Sequence, residues 1–158
     1  MIVYHGSDCL VEKPEIRKSA RALDFGVGFY TTTNKEQAIS FAKKIRERNI
    51  SEKEVISIYS VDFEYIKRNL NVKIFENPNE EWLDFVSKNR TGTYTEKFDV
   101  IYGAVANDTI FRTFIVYQNG ILSKKETIKR LKIRKLYNQM VFTTEKALSF
   151  LKFEGKLL

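Results

Sequence analysis

The sequence predicts an α+β fold in a single domain spanning residues 1–158, on three observations. Short runs of β-branched and aromatic residues alternate with segments of helical period, but without the regular spacing of βαβ units. Hydrophobic residues make up 43% and aromatics 13% of 158 residues, enough to bury one core. There are only 2 prolines and 7 glycines, with no internal repeat, linker or low-complexity stretch to divide the chain.

The elements follow in order. Ile2-Val3-Tyr4 reads as a first strand that ends at His5-Gly6-Ser7. Residues 8–22 show no period and read as a loop with at most one helical turn. The stretch Phe25-Gly26-Val27-Gly28-Phe29-Tyr30-Thr31-Thr32 is glycine-rich and then strand-like. Thr33-Asn34-Lys35-Glu36 has the pattern of a capping box, and Ala38, Phe41, Ala42 and Ile45 share one helical face, so a helix is expected over 34–48. Residues 55–63 and 72–75 read as strands. Asn77-Pro78-Asn79-Glu80 reads as a helix start with proline at the first helical position, followed by the apolar face Trp82, Phe85 and Val86. Residues 98–105 form the next strand. Asp108 then caps a helix through Tyr117 that Gly120 terminates, and Ser123 caps the one after. A strand over 136–142, a short helix over 144–151 and a last strand over 152–158 complete the reading.

Composition excludes several classes of chemistry. With one histidine and one cysteine, an intrachain disulfide is impossible, as is a zinc site built mainly from those residues. The single cysteine fits a reducing compartment. The N-terminus lacks the pattern of a signal peptide, and the apolar stretch 109–117 is short and interrupted by Arg112. A cytoplasmic protein without a membrane partner is expected. No acidic cluster points to magnesium, and no carboxylate pair has the character of a glycosidase site. No metal is expected.

Charge is concentrated. Of the net charge of +7, +6 falls between Lys124 and Lys135, where seven basic residues face Glu126 alone. Such a run is either a solvated helix face or a footprint for a polyanion. His5 is the one side chain that titrates near neutrality, and it stands at a strand end beside a Gly-Ser turn. Gly26-Val27-Gly28 lacks the third glycine of a dinucleotide fingerprint and precedes a strand, so a bulge or hairpin is its plain explanation. Tyr30 either stacks on a flat ligand or packs in the core. Gln139 lies in an apolar strand, where an amide ordinarily faces solvent.

Taken in order, these segments resemble the three motifs of the ADP-ribosyltransferase superfamily, in its poly(ADP-ribose) polymerase and diphtheria-toxin branch. Tyr4-His5-Gly6-Ser7 is similar to the first-strand histidine motif. Phe25 to Tyr30, with the helix containing Ala38, is similar to the second. Leu136-Tyr137-Asn138-Gln139-Met140-Val141-Phe142 resembles the third. The whole chain further resembles a family of uncharacterised bacterial proteins on this fold, in which segments 23–32, 82–90 and 105–108 are expected to recur. The resemblance implies two small sheets, split around an NAD cleft, with peripheral helices. It implies a ribose contact from His5, a nicotinamide amide held at Gly6 with Ser7 nearby, and the Tyr30 ring stacked on nicotinamide beside Gly28 and Phe29. Arg17 and Arg21 are candidates for the NAD diphosphate, because guanidinium forks match phosphate oxygens.

One position departs from the pattern. Gln139 stands where that branch carries its catalytic glutamate. An amide accepts a hydrogen bond but supplies neither full negative charge nor a base. Slow mono-ADP-ribosyl transfer is therefore expected rather than chain elongation, with Asp108, or less favourably Asp24, as a source of the missing charge. Asn89 and Arg90 either line the cleft or cap their helix. Lys132, Arg134 and Lys135, just before the third motif, are expected to hold the acceptor: RNA or DNA, or a protein. A toxin with an inhibitory partner protein fits this profile. The alternatives are a weakened NAD or ADP-ribose binding module, and a nucleic-acid-binding protein acting through 124–135. An RNA 2′-phosphotransferase is disfavoured by the lone histidine.

Overall fold

The computed structural model describes residues 1–18, 23–94, 96–105, 108–132 and 137–158, with the side chains of 108–111 and 132 outside the description. The predicted alternation becomes seven strands and six helices among these residues. The strands are β1 (Ile2–Ser7), β2 (Phe29–Thr32), β3 (Val55–Ser60), β4 (Val72–Ile74), β5 (Val100–Ala104), β6 (Asn138–Phe142) and β7 (Lys152–Leu157). The helices are α1 (Lys35–Asn49), α2 (Phe63–Asn69), α3 (Glu80–Thr91), α4 (Asp108–Gln118), α5 (Lys124–Lys132) and α6 (Glu145–Leu148). The strands form one mixed sheet in the order β4-β5-β6-β2-β1-β3-β7. Only β4 and β5 run parallel; the other neighbours are antiparallel.

The expected pair of split sheets is therefore one continuous sheet of two wings. The wing β4-β5-β6-β2 and the wing β1-β3-β7 meet where Tyr4 lies opposite Thr32, the single register pair between β1 and β2. By contrast, β1 runs in register with β3 from Ile2 opposite Ser60 to Ser7 opposite Val55. The sheet is thus narrowest between its two central strands.

Alternation along the strands divides the core. Tyr30, Ile101 and Val141 face a cluster completed by Trp82, Leu83, Phe85 and Val86 of α3, Phe114 of α4 and Leu131 of α5. Phe29, Val100, Met140 and Phe142 face the opposite cluster, with Val3, Tyr59, Ile66 of α2, and Ala147 and Leu148 of α6. On the β1–β3 wing, α1 packs through Ala38 and Ala42 against Tyr4 and Ile56.

Several local expectations move by a residue or two. Asn34, not Thr33, caps α1 and accepts from the Gln37 amide at 2.8 Å. Thr32 instead donates to the Gln37 side chain at 2.8 Å and ties the helix start to β2. The cap of α3 is Asn79, which accepts from the Trp82 amide at 2.9 Å, so Pro78 lies outside the helix rather than at its first position. The strand expected over 55–63 stops at Ser60, because Asp62 caps a helix that sequence reading missed and accepts from the Tyr65 amide. Residues 8–18 contain no helical turn. The short helix expected over 144–151 is Glu145–Leu148, capped by Thr144. No helix among the described residues is long and apolar enough to cross a membrane.

Candidate functional site

His5, Tyr30 and Gln139 lie on β1, β2 and β6, the three adjacent strands at the middle of the sheet. Past the Tyr4–Thr32 pair the β1–β2 ladder gives out, and the His5 side chain takes the place of a backbone partner. Its Nδ1 lies 2.7 Å from the Tyr30 carbonyl oxygen. A carbonyl only accepts, so Nδ1 carries the proton and neutral His5 keeps a lone pair on Nε2. The ring stacks on Phe29 with centroids 4.3 Å apart.

Burial pushes the His5 pKa below its ordinary value, and the Tyr30 carbonyl bond opposes that only in part. The sign of the consequence is fixed. Above pH 6.5 both folded and unfolded chains hold neutral imidazole. Below it, the unfolded chain takes up a proton that the folded chain refuses until its own lower pKa is reached. Stability is then expected to fall by up to about 1.4 kcal/mol per pH unit. Denaturant midpoints measured between about pH 5 and pH 7 check this: the slope below 6.5 is expected in the wild type and absent in His5→Gln.

Tyr30 is bound at both ends of its reach. Its hydroxyl accepts from the Phe25 amide at 3.0 Å and donates to the Gly26 carbonyl at 2.7 Å. Burial raises its pKa well beyond the usual phenol range, so it stays protonated and offers its ring rather than proton chemistry. Opposite Val141, it stands diagonally across from Gln139, which pairs with Thr32 and Gly103. Gln139 is buried, contrary to the ordinary place of an amide in a strand, and its Nε2 lies 3.5 Å from the Ala104 carbonyl as a long hydrogen bond. Tyr30 and Gln139 therefore share one face of the sheet, whereas the His5 ring stacks on Phe29, whose side chain packs in the cluster on the opposite face.

The glycines have reasons other than ligand approach. A side chain on Gly6 would place its Cβ 2.1 Å from the Ala38 carbonyl oxygen, so α1 lies directly on the β1 backbone there. At Gly28 a Cβ would meet Val141 at 2.7 Å and the Phe142 carbonyl at 2.8 Å. Ser7 is buried and donates to Asp8 at 3.4 Å. Phe29 belongs to the core behind His5.

Arg17 is exposed and pairs with Glu15 at 3.2 Å on the surface. Arg90 Nε donates to Asp24 at 2.7 Å in a largely buried ion pair. That pairing compensates the charge of Asp24. Asn89 donates to the Phe85 carbonyl, and Gly92, at φ 72°, caps α3 instead. The contact between residues 24 and 90 carried no signal in the sequence, since the two are 66 positions apart. Asp108 opens α4, with its side chain outside the description. Arg21, Arg134, Lys135 and the Lys132 side chain also lie outside the described residues. Within α5, Lys124 binds Asp84 at 2.8 Å, while Lys125, Lys129 and Arg130 are exposed.

Two cavities lie away from these strands. One of about 590 Å³ adjoins Met1, Val61, Phe63 and Phe150, and one of about 530 Å³ separates Asn79 from Lys125 and Lys129. No group of three or more potential metal ligands occurs among the described residues.

A family model described as a protein of unknown function, DUF3990, matches residues 1–153. The chain belongs to the DUF3990 family. No curated protein and no solved structure matches it. The match takes in every residue of the seam in this DUF3990 chain, from His5 through Tyr30 to Gln139, and every described strand but β7, of which it covers only Lys152 and Phe153.

Proposed function

We propose that this DUF3990 chain is a mono-ADP-ribosyltransferase that takes NAD as substrate and modifies a nucleic acid or protein. The observation that carries the reading is the seam between β1 and β2, where the ladder opens beside His5 and Tyr30 in the middle of the sheet. Neutral His5, with Nδ1 committed to a carbonyl, presents Nε2 as an acceptor suited to a ribose hydroxyl. The Tyr30 hydroxyl is satisfied within its own loop, and its ring, half-buried against the α3-side cluster, would meet a flat nicotinamide with its exposed part. In the transfer, the bond from ribose C1′ to the pyridinium nitrogen breaks and nicotinamide leaves with the electron pair. A bond from C1′ to the acceptor nucleophile forms, and the acceptor's proton passes to solvent. The chain's residues serve by orienting the ribose through an oxocarbenium-like state. Gln139 accepts from a ribose hydroxyl without contributing a full charge. The exposed Lys125, Lys129 and Arg130 favour a polyanionic acceptor, and an acceptor that is itself a good nucleophile offsets the missing carboxylate.

The Gln139 bond to Ala104 supports a second reading, in which the amide serves the sheet and NAD is held without turnover. One experiment separates the two. Adenylate-labelled NAD is incubated with the protein and separate pools of RNA, DNA and cell extract, with His5→Ala alongside. Label transferred to one pool and lost in His5→Ala is the expected result and names the acceptor class. Thermal stabilisation by NAD with no label selects the binding reading. Intact NAD without label or thermal shift overturns both.

A further inference from the structure

The segment from Leu23 to Tyr30 is held by contacts that a simple entry into a strand does not need. Asp24 and Arg90 form an ion pair whose side chains are 11% and 13% exposed. The Arg90 guanidinium also lies 5.0 Å over the ring of Phe114 in α4. Gly26 has φ 77°, and a Cβ there would stand 2.9 Å from Asn89 Oδ1, so the loop lies directly on α3. The next links are the two hydrogen bonds between the Tyr30 hydroxyl and the backbone at Phe25 and Gly26. A continuous run of contacts thus leads from α3 through Arg90, Asp24 and the loop backbone to the Tyr30 ring.

A buried ion pair is a poor choice if stability alone is needed. Desolvating two charges consumes most of what their attraction returns, and apolar packing of similar volume does as well. What a guanidinium fork adds is direction, because it meets a carboxylate in few orientations. We propose that Asp24 and Arg90 are positioning residues, whose ion pair sets the Tyr30 ring for the nicotinamide end of NAD. The proposal rests on the transferase reading of Tyr30. It adds a pair that governs ligand affinity through the loop.

The test measures NAD binding, with KM and kcat where turnover is seen, in the wild type, Arg90→Lys, Asp24→Asn and the double variant Asp24→Asn/Arg90→Gln. Leu148→Ala, in the opposite core cluster, serves as a destabilised control. Each single variant is expected to weaken NAD binding roughly tenfold to a hundredfold, the cost of a misplaced contact surface. The double variant, which leaves no unpaired charge, is expected to bind no worse than the weaker single. Hydrogen exchange at the Phe25 amide is expected to accelerate in Arg90→Lys, whereas Leu148→Ala loses thermal stability with NAD affinity unchanged. Wild-type affinity in every clamp variant overturns this proposal and leaves the transferase reading standing, as does equal weakening in Leu148→Ala. A wild-type protein that neither binds nor cleaves NAD overturns both.

Discussion

Gly6→Ala is expected to lower the thermal midpoint by roughly 10 °C or more, a cost at or above the top of the usual 1–3 kcal/mol for overpacking. The added methyl would sit 2.1 Å from the Ala38 carbonyl and 2.9 Å from the Ala42 amide nitrogen. Both are backbone atoms of α1, so no rotamer change relieves the clash. The helix must lift from β1 or the strand must bend, and either movement opens the contact among Ala38, Ala42 and Ile56. Gly92→Ala is the informative comparison: its φ of 72° is awkward for alanine, but a Cβ there meets nothing within 4 Å. It should cost only about 1–2 kcal/mol. Paired thermal melts check the contrast. Equal midpoints for the two variants would mean that α1 does not seat on Gly6 as described.

Gln139→Glu is expected to raise the rate of NAD cleavage on the order of 10²- to 10³-fold while lowering stability by about 1–3 kcal/mol. On the proposed transferase reading, the first effect comes from negative charge placed beside the ribose as the glycosidic bond breaks. The second follows from the Ala104 carbonyl, which now accepts from the Gln139 amide and would face an acceptor-only carboxylate. Burial at that position also raises the pKa of the introduced carboxyl. The rate gain should therefore grow as pH rises through that raised value and level off above it. Steady-state NAD cleavage across pH, with melts in parallel, reads both effects. A variant that melts lower and cleaves no faster assigns Gln139 to the sheet alone, and the binding-module reading then gains ground.

How far these features were legible in the sequence depends on what carries each one. Period and capping chemistry are local, so α1 and the strands came through with shifts of only a few residues at their ends. The helix α2 did not, because Phe63, Tyr65 and Ile66 look like a continuing strand and only the capping role of Asp62 reveals the break. The three motif residues His5, Tyr30 and Gln139 fall on neighbouring strands, but the His5 ring stacks on Phe29 on the face opposite Tyr30 and Gln139. Their surroundings were beyond reach. The resemblance puts Gly6 and Gly28 at the ligand, and Gly28 otherwise reads as part of a bulge or hairpin; their neighbours are a helix backbone and β6, brought there by tertiary packing. Asp24 and Arg90 were each visible alone, but nothing local joins an acid before a glycine-rich loop to a base near a helix end.

The narrow junction at the centre of the sheet also bears on the order in which the molecule assembles. Thr31 in β2 donates to the Met140 carbonyl in β6, a partner 109 positions further along the chain. Closing so long a loop costs about 0.6 kcal/mol more in chain entropy than the β1–β3 pairing, where Ile2 lies opposite Ser60, and distant strand pairing of this kind slows folding. In the sheet β6 lies between β2 and β5, pairs with the edge of β2 that faces away from β1, and brings Gln139 opposite Thr32. On the transferase reading, a chain in which β6 has not yet paired with β2 would hold His5 and Tyr30 without Gln139 beside them.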